Sequence, residues 1–165
     1  MRAATRDAHD AVDAAFGGFD LRDVFAYRAF LTAHARALPG AEERMRRLSF
    51  AGMLPPRTPL LAADLAALGG VMPRRLPLPA GDDAAAWGTL YVVEGSRLGG
   101  AMLARAVPAA LPAAYLGAVH PPGQWRAIRA AIDRAGVGQD ADFEDRMVAG
   151  ALQTFALYAA ASRSG

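Results

Sequence analysis

LYVVEGSRLGGAMLA, Leu90 to Ala104, is the stretch on which the reading of this chain turns. Its apolar residues recur at helical spacing, yet Gly95, Gly99 and Gly100 sit inside the pattern, each costing about 1 kcal/mol relative to alanine. On a wheel advancing about 100° per residue, Gly88, Tyr91, Val92, Gly95, Gly99 and Met102 fall on one side. The glycines clear a strip where backbone can approach a neighbour closely. Two neighbours suit such a strip: a second helix, or a flat and bulky ligand.

The rest of the chain supports a helical setting. Hydrophobic residues make up 53% of the sequence, much of this is alanine, and β-branched residues are sparse, which favours helix over sheet. At 165 residues the chain suits one domain, 1–165, with a proper core. Every basic residue is arginine, so any bound anion must be held by guanidinium forks. A net charge of +2, with the arginines scattered, does not suggest a nucleic-acid surface. The sequence has no cysteine, which excludes disulfides and thiolate chemistry. Neither a signal-peptide pattern nor an apolar run of about twenty residues is present, so a cytoplasmic protein that does not enter membranes is expected.

Outward from the glycine helix, expected over Ala84 to Val107 behind an Asp82 or Asp83 cap, the punctuation predicts further helices. Met1 to Phe16 has a small-residue side, Ala4, Ala8, Ala11 and Ala15, suited to packing. On its other side Arg2, Arg6, His9, Asp13 and Phe16 share a stripe. Val24, Tyr27, Leu31, His34 and Leu38 line one face of a helix from Leu21 to Leu38, where Pro39 and Gly40 interrupt the pattern. A separate short helix is expected from Ala41 to Phe50. Leu60 to Leu68, Gln124 to Arg134 and Asp142 to Ser162 complete the set, with a turn of helix between Pro108 and Gly117. The proline-rich segment 72–81 reads as a surface connection.

Familiar chemistry motifs are missing. GSRLGG lacks the strand and the Lys-Ser/Thr of a phosphate loop. No Glu-x-x-His pair or HExxH sequence occurs, and Ser96 has no histidine near it in sequence. What remains is one histidine near the N-terminus, arginines one and two turns before it, and the glycine-cleared helix. A planar macrocycle with an axial metal position and peripheral carboxylates would use all three.

RAATRDAHDAVD, Arg2 to Asp13, resembles the proximal helix of haem oxygenases, and LYVVEGSRLGG, Leu90 to Gly100, resembles their distal helix. The likeness is strongest to the bacterial, phytochrome-associated type. It implies an all-α, single-domain fold and oxygen-dependent opening of haem to biliverdin, with release of iron and carbon monoxide. It assigns His9 as the iron ligand, and Arg2, Arg6 and Arg126 as haem-propionate contacts. Gly95 and Gly99 become the glycines against the haem face, with Tyr91 beside them. Where animal members carry an aspartate after the first distal glycine, this chain has Ser96, so oxygen activation would draw on ordered water, backbone groups, and Ser96 or Arg97. An external ferredoxin or reductase would supply electrons, and a phytochrome could accept the biliverdin. A haem carrier without turnover is the alternative, as is a helical protein whose glycines face another helix.

Overall fold

The Asp82 carboxylate accepts the Ala85 backbone N–H at 2.9 Å and starts α4, Asp83–Ala104, a strong N-cap arrangement. A computed structural model, which describes residues 1–163, places this helix at the centre of an all-helical fold. The remaining helices are α1 (Arg6–Phe16), α2 (Val24–Met45), α3 (Thr58–Ala67), α5 (Gln124–Ala135) and α6 (Phe143–Ser162), with single 3₁₀ turns at Ala3–Thr5 and Ser49–Met53. α6 lies along α4 in the most extensive helix pairing, α1 and α2 rest on α6, and α5 rests on α4. No helix among the described residues is long and apolar enough to cross a membrane.

The α4–α6 crossing uses glycine on both sides. A Cβ on Gly88 would lie 2.7 Å from the Ala151 nitrogen and closer still to the Met147 carbonyl oxygen. A Cβ on Gly150 would overlap the Ala85 backbone in the same way. Below this contact Thr154 donates its hydroxyl to Gly150 O at 2.8 Å and sits 3.0 Å from the Thr89 hydroxyl, closing the buried polar groups of the seam. Gly88 therefore belongs to a tight helix pair, and the open strip expected from the wheel is shorter by that residue.

Three other expectations are corrected. α2 does not stop at Leu38: it continues through Pro39 and Gly40 to Met45, in place of a second helix over Ala41 to Phe50. Proline breaks one ladder bond, but Leu38, Ala41 and Met45 are all buried and hold the helix together. The Arg36 carbonyl near the interruption accepts from Leu76 N at 2.8 Å. In α1 the packing side is Thr5, Ala8, Val12 and Phe16, while Ala4 and Ala11 are exposed. Val12 and Phe16 take the packing positions together with half-buried Ala8, and Ala4 and Ala11 are left to solvent. Residues 105–123 form turns without a helix. They are tied to α3 by Asp64, whose carboxylate accepts from Ala114 N and Tyr115 N at 3.2 and 2.8 Å, and to α2 by Tyr27, whose phenol donates to Pro112 O at 2.8 Å.

His34 is a core histidine, as its place on the apolar face suggests. Phe16, Phe30, Tyr115 and Tyr158 surround its ring at 4.5 to 5.5 Å between centroids, and its Nδ1 lies 2.7 Å from the Tyr115 phenol. Burial lowers its pKa to about 3, so the folded ring stays neutral and accepts the phenol proton. The unfolded chain binds that proton near pH 6.5. The stability tied to His34 is thus full above pH 6.5 and is lost as pH falls towards 3, at up to about 1.4 kcal/mol per pH unit. His34→Phe should flatten the loss between pH 6.5 and 5, measured by urea unfolding. Parallel pH profiles for the two proteins would contradict this.

Candidate functional site

α1 and α4 share α6 as a common support, and between them α6 presents an apolar floor. Val92 of α4 with Ala151 and Phe155 of α6 form a small cluster apart from the main core, against which Met1, Ala8, Val12 and Tyr91 pack. His9 stands at its edge. The imidazole meets the Phe155 ring edge-on at 5.9 Å, while 57% of the side chain remains exposed. The histidine is therefore accessible.

Its Nδ1 lies 3.3 Å from the Asp13 carboxylate, one helical turn on, and 3.6 Å from that of Asp10. Carboxylates there hold the ring proton on Nδ1 and leave the Nε2 lone pair for a metal, the usual arrangement around ligating histidines. Asp13 was legible as a member of the stripe, but its orienting part depends on the i, i+4 geometry. Asp10 also lies beside His9.

On α4 the glycines divide by neighbour. A Cβ on Gly100 would come 3.1 Å from the Leu116 carbonyl oxygen, so this residue serves packing against the 105–123 segment. A Cβ on Gly99 would meet nothing within 4 Å. At Gly95 it would meet the edge of the Trp125 indole at 3.4 Å. That indole also faces Tyr91 and His120, with centroids 5.9 and 6.1 Å apart. Leu98 and Met102 are exposed beside the glycines, Met102 at 74%. Trp125 over Gly95 could not be read from sequence, because no local pattern links an α5 residue to α4.

Behind this wall lies a polar layer, buried at Glu94, Arg97 and Arg57 and reaching the surface at Ser96. Arg97, 5% exposed, donates Nε to Glu94 Oε2 at 2.7 Å, and its remaining nitrogens reach the carbonyls of Pro55 and Ala118 at 2.7 and 3.1 Å. This guanidinium is committed to structure, so it does not supply the polar help to the open face that the sequence reading considered. His120 Nε2 contacts Glu94 O at 3.0 Å. Ser96 donates its hydroxyl to Val93 O at 2.7 Å and accepts from Arg57 Nη2 at 2.9 Å. Arg57, absent from the sequence candidates, comes from the proline-rich approach to α3. Glu42 positions this approach by accepting from the backbone N–H of Arg57 at 2.6 Å.

Arg2, Arg6 and Arg126 are all exposed, and none forms a salt bridge among the described residues. The Arg126 guanidinium turns back towards Gly123 at the start of α5. The pieces fit a planar macrocycle: an accessible imidazole with an oriented ring, an apolar floor, a helix face stripped of Cβ atoms, and unpaired guanidinium groups for carboxylates.

Comparison with known proteins decides the family. The sequence is 34% identical over 146 residues to a heme oxygenase of Xanthomonas campestris pv. campestris (strain 8004), covering 81% of this chain and 87% of that protein. The chain belongs to the haem oxygenase family. Among solved structures, the NO- and CO-bound heme oxygenase from Neisseria meningitidis matches with a TM-score of 0.79 at 25% identity, over 98% of this chain and 87% of that one. No protein-family model matches the sequence. The all-helical haem oxygenase fold is thus established by sequence and by structure, and conversion of haem to biliverdin is the family's general reaction.

Proposed function

We propose that this haem oxygenase binds haem in the cleft between α1 and α4 and opens it to biliverdin, releasing iron and carbon monoxide. One observation carries the reading: an accessible His9 with its Nδ1 against Asp13 shares an apolar floor with a helix on which Gly99 opens onto free space. Bound haem would supply both the iron that activates oxygen and the carbon that oxygen attacks.

The chain's own residues have distinct tasks in this proposal. His9 ligates through Nε2, and Asp13 keeps the ring in the ligating tautomer. Gly95 and Gly99 let the α4 backbone approach the macrocycle, with Tyr91 and Trp125 bordering it. Arg2, Arg6 and Arg126 take the propionates at the rim, where the guanidinium fork matches a carboxylate. Ser96 places ordered water near the reacting edge. Electrons come from an external ferredoxin or reductase, and a phytochrome is the proposed acceptor of biliverdin in the cytoplasm. The unit responsible is the whole chain, 1–165, acting as one domain.

Haem titration followed by aerobic reduction tests the reading. A one-to-one Soret complex that turns into a biliverdin spectrum is expected. A complex that survives reductant and oxygen would favour the carrier reading, and absence of binding would remove both. Asp13→Asn should weaken haem binding by about 10- to 100-fold, the usual effect of losing a carboxylate behind a ligating histidine. Because this pair is exposed, unfolding stability should stay within about 0.5 kcal/mol. Unchanged haem affinity in that variant would contradict the role given to Asp13.

A further inference from the structure

Arg57 is a charged side chain in an unusual position. It is 3% exposed, its Nε has no hydrogen-bond partner, and no carboxylate lies within salt-bridge distance among the described residues. The nearby Glu42 carboxylate is engaged with the backbone N–H groups of Arg57 and Thr58. The guanidinium sits over the Tyr115 ring at 5.2 Å and donates from Nη2 to Val93 O at 2.6 Å and to Ser96 Oγ at 2.9 Å. A buried cation with only neutral acceptors around it is costly to maintain and exerts a field that water does not screen.

The bonds also settle what Ser96 can do. Its one hydrogen goes to Val93 O and one lone pair to Arg57, so the hydroxyl has acceptor capacity left and no proton to give. Ser96 immediately follows Gly95 in α4, so the guanidinium is one hydrogen bond away from a residue that adjoins the face assigned to haem.

We propose that Arg57 is a positioning residue for this site: it locks Ser96 as a pure acceptor and supplies the positive charge that makes the Gly95–Gly99 side select anionic over neutral ligands. The proposal rests on the haem reading above and extends it to a residue outside the cleft. Selection by charge here requires no carboxylate on α4. It comes from α3's N-terminal approach, through a guanidinium held by Val93 O and Ser96 Oγ.

The test uses the ferric haem complex and two exogenous ligands, azide as the anion and imidazole as the neutral one, titrated by absorption. Arg57→Gln and Arg57→Met should each weaken azide by about tenfold while imidazole changes by less than about twofold. Arg57→Lys should restore most of the azide affinity, because the charge returns. Ser96→Ala should keep the azide-to-imidazole ratio close to that of the parent. Equal loss of both ligands, or no loss of azide, in a folded charge-removing variant would overturn the proposal. Should both such variants fail to fold, Ser96→Asp at its exposed position pairs with Arg57 and neutralises it. The azide-to-imidazole ratio should then fall by a similar factor, and an unchanged ratio would overturn the proposal. A parent protein that binds no haem removes the haem reading itself, whereas a haem complex indifferent to Arg57 removes only this inference.

Discussion

His9→Ala is expected to remove the side chain that would hold the haem iron, with a fall in haem affinity of about 100-fold or more, beyond the range usual for losing a residue that merely supports a ligand. The ring is accessible and makes its contacts with Phe155, Asp10 and Asp13 at the surface of α1. Removing it opens no core cavity, so unfolding stability should move by no more than about 0.5 kcal/mol. Added imidazole should enter the vacated place and restore the spectrum of a histidine-ligated haem. This combination separates a ligand from a structural residue: affinity and spectrum change together while the fold stays. A variant with the parent's Soret band and affinity would show that another residue ligates the iron.

The second large effect contrasts two glycines of one helix. Gly88→Ala puts a methyl group onto the Met147 carbonyl and the Ala151 nitrogen, backbone atoms that cannot rotate away. A loss on the order of 3 kcal/mol is expected, at the upper end for overpacking, which corresponds to a Tm lower by roughly 6 to 12 °C for a chain of this size. Gly99→Ala meets nothing within 4 Å and gains up to about 1 kcal/mol of helix propensity. Its stability should hold or rise, yet its haem affinity should fall because the methyl group stands on the ligand face. Thermal unfolding of the haem-free proteins with haem titration of Gly99→Ala checks both. Equal stability losses at the two positions would mean that Gly99 also faces protein.

Much of the architecture was legible in the chain. The helical spacing of Phe143, Met147, Ala151, Thr154 and Tyr158 marked the buried side of α6, and all five are buried. His34 on the apolar side of α2 was readable as a core group. The interruption at Pro39 misled because a local rule sees one missing N–H, whereas burial on either side of the proline keeps α2 continuous. Ala4 and Ala11 misled for a related reason: small size permits close packing, but burial follows the larger apolar area offered by Val12 and Phe16.

For the site, the residue types and their spacing along single helices marked His9 with Arg2 and Arg6, and Gly95 with Gly99, as a set worth joining, because one-turn periodicity is a property of the local chain. Only the tertiary structure decided which glycines serve packing and which stay open, since Gly88 and Gly99 are alike until α6 covers one of them. It also brought Trp125 to Gly95 and Arg57 to Ser96, contacts between segments about thirty or more residues apart in sequence that no periodicity records. A side chain's charge and shape are written in the sequence, but what they act upon depends on which helix the fold lays beside them.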